Sequence, residues 1–377
     1  MGAARQARVA AGDVEYHMAK IIHAADLHLK ESEKTYCLAV LDEILALARA
    51  EGAAYLLFCG DLFDSFEDLK ALKDAFREKL AAFTGTTVLY LPGNHEDLRR
   101  GGNESLENYD LGPVVKCLKK PYSLVSGEEL EFVCVPHQET YDGYRDWGVP
   151  AKAAGKARIL LLHGTDSSVY TGPETEEIKA GIIDENMFTL FGADYAAMGH
   201  IHTRAERQAG DCLACYSGSA RVWRAGEAGP RGVMLLEAAG GAVKVSGFKE
   251  LKSAGQYRAF SLPLGVEGGV DAEEIKAAQA ACGPADLVEI SVFGVVEDEN
   301  SAAAAEGEIR AALEGRVRQI KIERGEILVV AGLAGHPAVK SFLAKWRARR
   351  PEDPAGEKAW LLARSIGLKA IAGALND

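Results

Sequence analysis

Five short apolar runs punctuate the first two hundred residues, and each ends on residues able to do polar chemistry. Residues 20–25 run into Asp26-Leu27-His28, 55–59 into Gly60-Asp61-Leu62-Phe63-Asp64, and 87–92 into Gly93-Asn94-His95-Glu96. Residues 158–162 run into His163-Gly164, and 194–198 into Gly199-His200-Ile201-His202. Runs of this length bounded by glycine or polar residues fit strands buried on both faces of a parallel sheet. Between them the period lengthens. Leu38, Leu41, Ile44, Leu45 and Ala48 recur at three- and four-residue steps within 33–50, and Gly52 ends that helix. Leu69, Leu72, Phe76, Leu80 and Phe83 mark a second helix over 66–83. Alternation of strand and helix predicts right-handed parallel crossovers and an α/β layered fold. Ligands in such sheets bind beyond the carboxyl ends of the strands, which is where the Asp, His and Asn residues collect.

Further along, 122–136 reads as a hairpin around Ser126-Gly127-Glu128, and 212–216, 232–236 and 242–245 read as antiparallel strands. Past Phe248 the pattern becomes a separate small α/β unit, with strands at 257–264, 286–292 and 317–322 and helices at 272–282 and 302–313. After Gly335, Val339, Phe342, Leu343 and Trp346 form an apolar stripe at i, i+3, i+4 and i+7, with Lys340, Lys345, Arg347 and Arg349 largely outside it. Pro351 and Pro354 break the chain before a second helical stretch with Trp360, Leu361, Leu362, Ile366 and Ile371, weakened by Gly367. Two short helices of this kind pack either on a partner or on the chain's own preceding unit, because amphipathicity does not say whose surface is covered. The expected organisation is a catalytic domain over 19–250, a smaller domain over 255–330 and a helical segment over 336–377. Residues 1–18 read as a disordered arm or as sequence upstream of a true start at Met18.

A chain of 377 residues with 48% hydrophobic and 26% charged residues is ordinary globular material with room for two or three cores. No run approaches the ~20 apolar residues of a membrane helix, and the N-terminus lacks the apolar core of a secretory signal, so the expected location is the cytoplasm. Seven scattered cysteines fit free thiols in a reducing compartment, and Cys212-x-x-Cys215 stands without a second pair. The net charge of −12 argues against a protein that simply coats nucleic acid, but a catalytic face can be locally basic. Arg99 and Arg100, then Lys116, Lys119 and Lys120, then Arg204 and Arg207 are the candidate patches, and each equally describes ordinary solvated surface.

In their order along the chain, D-x-H, G-D-x-x-D, G-N-H-E, H-G and G-H-x-H resemble the motifs of the calcineurin-like metallophosphoesterases. The resemblance implies a four-layer sandwich of two mixed β-sheets flanked by helices, with a small α/β capping domain and C-terminal helices. It implies two divalent ions, manganese first, with iron, zinc and magnesium as alternatives. One ion would be held by Asp26, His28 and His202 and the other by Asn94, His163 and His200, with Asp61 bridging. His95 would contact the phosphate or protonate the leaving oxygen, and Asp64 would orient His95. His17, His23, His137 and His336 are left as structural histidines.

Within the family, Leu62-Phe63-Asp64 and the stretch Tyr216-Ser217-Gly218-Ser219, with Glu227 and Arg231-Gly232-Val233, are similar to SbcD-type DNA-repair nuclease subunits. The C-terminal unit with its Asp286-Leu287-Val288 strand is similar to their capping domain, especially in the YhaO branch. The resemblance implies a DNA exonuclease with endonucleolytic cleavage left open, an SbcC-like ATPase partner, and a homodimer through the helices near the first two motifs. The runner-up is a cyclic nucleotide phosphodiesterase or phosphoprotein phosphatase. Gly93-Asn94-His95-Glu96 is the spelling common in phosphoprotein phosphatases, yet those follow the second motif with Arg-Gly, where Ser65-Phe66 stands here. A metal-free binding subunit is disfavoured because all seven ligand positions are filled.

Overall fold

The computed structural model describes residues 18–96, 105–169, 181–264, 269–296, 299–329, 335–351 and 353–376. The readings made for 1–17 and for Arg99 and Arg100 lie outside these residues. The chain divides into two compact units, one formed by residues up to 219 with 232–249, the other by 220–231 with 250 onward.

The first unit begins β1 (Ala19–Ala24), α1 (Lys34–Glu51), β2 (Tyr55–Cys59), α2 (Phe66–Ala81), β3 (Thr87–Leu91), β4 (Val114–Lys116). It continues β5 (Ser123–Ser126), β6 (Leu130–Val135), β7 (Ala157–His163), α3 (Asn186–Leu190), β8 (Tyr195–Gly199), β9 (Ala205–Ala209) and β10 (Cys212–Tyr216), and closes with β11 (Gly232–Ala239) and β12 (Ala242–Glu250). Two six-stranded sheets result, in the orders β12-β11-β1-β2-β3-β4 and β5-β6-β7-β8-β10-β9. Both are mixed. β1 pairs parallel to β2 and antiparallel to β11, while β7 and β8 are parallel and β5 and β6 form the expected hairpin.

Alternate side chains explain the layers. Ile21, Leu57 and Leu89 from the first sheet meet Phe132, Ile159, Leu161 and Ala197 from the second in one buried core. The outer face of the first sheet is covered by helices, with Phe58 of β2 edge-to-face against Phe76 of α2 at 6.3 Å. The outer face of the second packs Leu160, Leu162 and Met198 against Met187 and Phe188 of α3. Layers of helix, sheet, sheet and helix make the fold an α/β sandwich. His23 crosses the inner core, its Nδ1 3.0 Å from Tyr195 Oη and its Nε2 3.2 Å from Met198 O, which agrees with a structural role.

One strand reading is corrected. β10 does not lie in an antiparallel set with β11 and β12; it belongs to the second sheet, parallel to β8 and antiparallel to β9. β9 itself was not anticipated.

The second unit holds β13 (Tyr257–Pro263), α4 (Ala272–Ala281), β14 (Leu287–Val296), α5 (Glu299–Leu313) and β15 (Gln319–Val329), followed by α6 (Pro337–Arg347) and α7 (Pro354–Asn376). Its three strands are parallel over a core of Val288, Ile290, Val292, Ala305, Ile309 and Leu313. Residues 220–231 join it through Val222, whose N–H donates to Ala254 O at 3.3 Å and whose carbonyl accepts from Arg318 Nη2 at 2.9 Å. The last helix is not short: α7 runs 23 residues straight through Gly367. It packs against β13 and β14 on one side and receives the α6 stripe on another, Val339 against Leu368 and Trp346 against Trp360. The stripe is therefore covered by the chain itself. His336 starts α6, its side chain accepting from Ala338 N–H at 3.2 Å.

Candidate metal centre

The loops after β1, β2, β3, β7 and β8 meet at one edge of the sandwich. The Asp26-x-His28 loop lies along the Gly60-Asp61 loop: Asp26 N–H donates to Gly60 O at 3.1 Å and His28 N–H to Asp61 O at 2.9 Å. Four described residues other than glycine have positive φ, namely Asp26 (52°), His28 (44°), Asp61 (45°) and His200 (99°). Each is a candidate ligand. Backbone of this kind costs of order 1–3 kcal/mol per residue and persists where surrounding structure enforces it, commonly at functional sites. Glycines give the loops room. A Cβ on Gly60, itself at φ +91°, would stand 1.8 Å from His163 Nδ1, and one on Gly93 would stand 2.1 Å from Asp61 Oδ1.

Among the described residues three sets of side chains bring ligand atoms within 4.8 Å of one another: Asp26, His28 and His202; Asp61, His163 and His200; and His28, Asp64 and His95. In the first, His28 Nε2 and His202 Nε2 face each other at 3.2 Å. In the second, Asn94 Oδ1 lies 3.0 Å from His163 Nε2 and 3.2 Å from His200 Nδ1. Asp61 Oδ2 stands between these two sets, 3.3 Å from His163 Nε2 and 3.8 Å from His28 Nε2. Both oxygens of Asp26 accept from His200 N–H, at 3.0 and 3.1 Å, tying the ends of β1 and β8. His163 directs Nδ1 to Cys59 O at 3.0 Å, which fixes that nitrogen as the donor and leaves Nε2 for the centre.

His95 donates its N–H to Asp61 Oδ1 at 3.1 Å, and its ring lies edge-on to His28 at 4.7 Å. The contact to its Nδ1 comes from the Asp64 main-chain carbonyl at 2.7 Å. Asp64 thus contacts His95 through its main chain, while its carboxylate lies 3.4 Å from His28 Nδ1 and 2.9 Å from Lys30 Nζ. Asp64 therefore steadies two histidines, one through each of its polar groups.

Glu96 is a residue the sequence reading passed over. Fully buried, it accepts from Phe63 N–H with Oε1 and from Gly93 N–H with Oε2, both at 2.8 Å, and so pins the second motif to the third. Its position as the last letter of G-N-H-E was the signal. His137, read as a structural histidine, lies near the centre. Its ring lies 6.0 Å from His163 and 6.3 Å from His200, beside the second set but outside all three groups of ligand atoms.

The electrostatics are those of buried charge. Burial raises Asp26 to about 6 and, helped by Asp61, Glu96 to about 7. Burial lowers His28 to about 4. Burial would depress His163 too, but Asp61 beside it lifts the imidazole to about 9 and is itself held well below the usual carboxylate range. A cation arriving at Asp61 thus competes with a proton on His163. Imidazole, carboxylate and amide oxygen without thiolate form a donor set that fits borderline divalent ions such as manganese, iron and zinc. The side chains present can hold such ions.

Of the named basic residues, Lys116 donates to Leu106 O, Glu107 O and Tyr109 O. Arg207 pairs with Asp166 and Glu185, and Arg204 lies over the Phe248 ring at 4.9 Å. Lys116 and Arg207 serve the fold rather than a patch.

A family profile described as calcineurin-like phosphoesterase matches residues 19–204. The chain is 32% identical over 185 residues to the DNA double-strand break repair protein Mre11 of Methanocaldococcus jannaschii, across 44% of this chain and 45% of that protein, so the match spans under half of the relative's length. Among solved structures it is similar to purple acid phosphatase PPD1 of yellow lupin (Lupinus luteus), with a TM-score of 0.43 and 15% identity over 59% of this chain and 50% of that one. It is likewise similar to a dimetal phosphatase of Danio rerio, with a TM-score of 0.39 and 11% identity over 61% of this chain and 99% of that one.

Proposed function

We propose, from the premise that residues 19–204 form a calcineurin-like phosphoesterase domain of a hydrolase family that binds divalent metals, that the protein is a two-metal DNA nuclease of the SbcD and YhaO type. The observation that carries the reading is the meeting of all seven candidate ligands, four of them on left-handed backbone, at one sheet edge. The Mre11 similarity supports DNA as the substrate class. Asp26, His28 and His202 would hold one ion, Asn94, His163 and His200 the other, with Asp61 shared. When bound, such a pair, manganese in the first instance, supplies an acidified water and neutralises phosphoryl charge.

The chain's own contribution is orientation. The Asp64 main-chain carbonyl at His95 Nδ1 sets the orientation of the ring, and in this reading His95 would meet a phosphate or hand a proton to the leaving oxygen. Asp61 Oδ1 fixes the His95 backbone in the same sense. Against a phosphoprotein phosphatase stands Ser65, which caps α2 by accepting from Asp68 N–H at 3.1 Å where those enzymes carry Arg-Gly.

No helix among the described residues is long and apolar enough to cross a membrane, and all seven cysteines are free thiols, which supports a reducing, cytoplasmic setting. For an SbcC-like ATPase partner, the exposed pair Leu362 and Ile366 on α7 is a candidate surface, since the α6 stripe is covered. The homodimer rests on the family resemblance, because the apolar faces of α1 and α2 are already buried within the chain.

Purified protein with Mn²⁺ on single-stranded DNA, duplex ends, a phosphopeptide and a cyclic nucleotide tests the reading. DNA should be cut, Asp61→Asn should be inactive yet folded, and His95→Ala should lose about 10²–10⁴-fold in turnover while retaining metal. Efficient hydrolysis of the peptide or cyclic nucleotide without DNA cleavage would overturn it.

A further inference from the structure

The covering of the α6 stripe leaves the other side of that helix to be explained. From His336 to Pro351 the chain carries Lys340, Lys345, Arg347, Arg349 and Arg350 and no acidic residue, inside a protein of net charge −12. All five are exposed. Among the described residues, none of Lys340, Lys345, Arg347 and Arg349 forms an ion pair. Several cations elsewhere pair with the protein's own acids, as Lys79 does with Asp42, Lys152 with Asp194, Arg158 with Glu131 and Arg207 with Asp166. The contrast with Lys116 and Arg207, which sequence position put forward as patches and the fold consumes, singles this surface out.

Helix C-termini favour cations, which accounts for Arg347 and its neighbours near the last turn. It does not account for Lys340, in the first half of α6. The platform is also stiff. Trp346 and Trp360 stack at 3.6 Å with their rings 12° apart, and each indole N–H donates to the other residue's carbonyl, at 2.7 and 2.9 Å. Arg350 lies over the outer face of Trp360 at 5.5 Å. A basic face on a helix locked from behind presents its charges at fixed spacing, and a regular row of phosphates is the polyanion that such spacing suits.

We infer that the exposed cations of α6 and of the turn that follows it, Lys340, Lys345, Arg347 and Arg349, bind the phosphate backbone of DNA without reading its sequence. The inference rests on the nuclease reading and adds where, outside the catalytic domain, the substrate is held. An acidic protein surface is the competing partner.

The test is equilibrium binding of a fluorescent duplex to the full chain in chelator, so that nothing is cut, over a range of NaCl. Replacing all four residues by Gln should weaken binding at least tenfold at low salt and flatten the slope of log K against log salt by about 3 to 4, since each duplex phosphate contact contributes ~0.9. Hydrolysis of bis(p-nitrophenyl) phosphate with Mn²⁺ should be unchanged. The double variants Lys340→Gln/Lys345→Gln and Arg347→Gln/Arg349→Gln should each take roughly half the slope, which covers the case of a misfolded quadruple variant. Wild-type binding with an unaltered slope in the variants overturns this inference alone, and no wild-type binding to DNA overturns the nuclease reading with it. Poly-glutamate competing as well as duplex DNA at equal charge would assign the face to an acidic protein and refute the inference.

Discussion

Glu96 shows how much of the centre depends on a residue that would touch neither metal nor substrate. Its two oxygens each accept a main-chain N–H from a different motif, and its neighbours are Tyr90 and Asp61. A glutamine keeps the shape but offers only one acceptor, so its amide nitrogen would face either Phe63 N–H or Gly93 N–H, donor against donor. A buried donor left without an acceptor costs about 1–3 kcal/mol. Glu96→Gln should therefore lower the unfolding free energy by that amount in chelator, measured by denaturant titration, and should weaken Mn²⁺ binding because Asn94 and His95 lose their anchor. Unchanged stability with unchanged metal affinity would show that the loops are held by something else. Composition carries no such warning: an acid after G-N-H reads as a motif letter, and only the fold reveals that it points inward.

At the scale of elements, the five apolar runs and two amphipathic helices were legible because burial on both faces leaves an unbroken apolar string, and burial on one leaves a three-to-four-residue period. What escaped notice follows from the same rule. β9 is Ala205-Glu206-Arg207-Gln208-Ala209, an edge strand whose polar outer face erases the apolar signal. β10 was recognised but given the wrong partner, since a short apolar strand says nothing about which sheet it joins. Gly367 looked like a breaker, but a Cβ there would lie 2.2 Å from Phe342 Cζ, so the residue is a seat for the α6 ring rather than a weak point of α7. The candidate ligand residues stand out by motif; the pairing of the Asp64 carboxylate with His28 and Lys30 does not, because neither lies beside it in sequence. His23 links the two sheets and carries a prediction at this scale. Burial holds its imidazole down to about 3 from an ordinary 6.5. Between those values the unfolded chain binds the proton and the folded one does not, so stability falls as pH drops through that window, by up to about 1.4 kcal/mol per pH unit. The stability advantage of the wild type over His23→Gln should shrink as pH is lowered from 6.5 to 4; a constant difference would mean that His23 is not the buried neutral group described.

For the whole molecule, the two units have separate cores, and the candidate ligands all belong to the first. Metal binds the folded state, so Mn²⁺ at a hundred times its dissociation constant should add about 2.7 kcal/mol to the unit that holds it and nothing to the other. Trp346 offers the reciprocal handle. Trp346→Ala removes one half of the indole stack and the indole N–H that donates to Trp360 O, a truncation that typically costs about 3–5 kcal/mol. Calorimetry of the full chain should then resolve two transitions, one moved by Mn²⁺ and chelator, the other by Trp346→Ala. The tryptophans allow assignment, because Trp147 lies in the first unit and Trp223, Trp346 and Trp360 lie in the second. Loss of the exciton-coupled circular dichroism expected of stacked indoles should follow the second transition only. A single transition displaced equally by metal and by Trp346→Ala would mean that the units unfold as one cooperative body, and would place the energetic boundary of the molecule elsewhere than between its two cores.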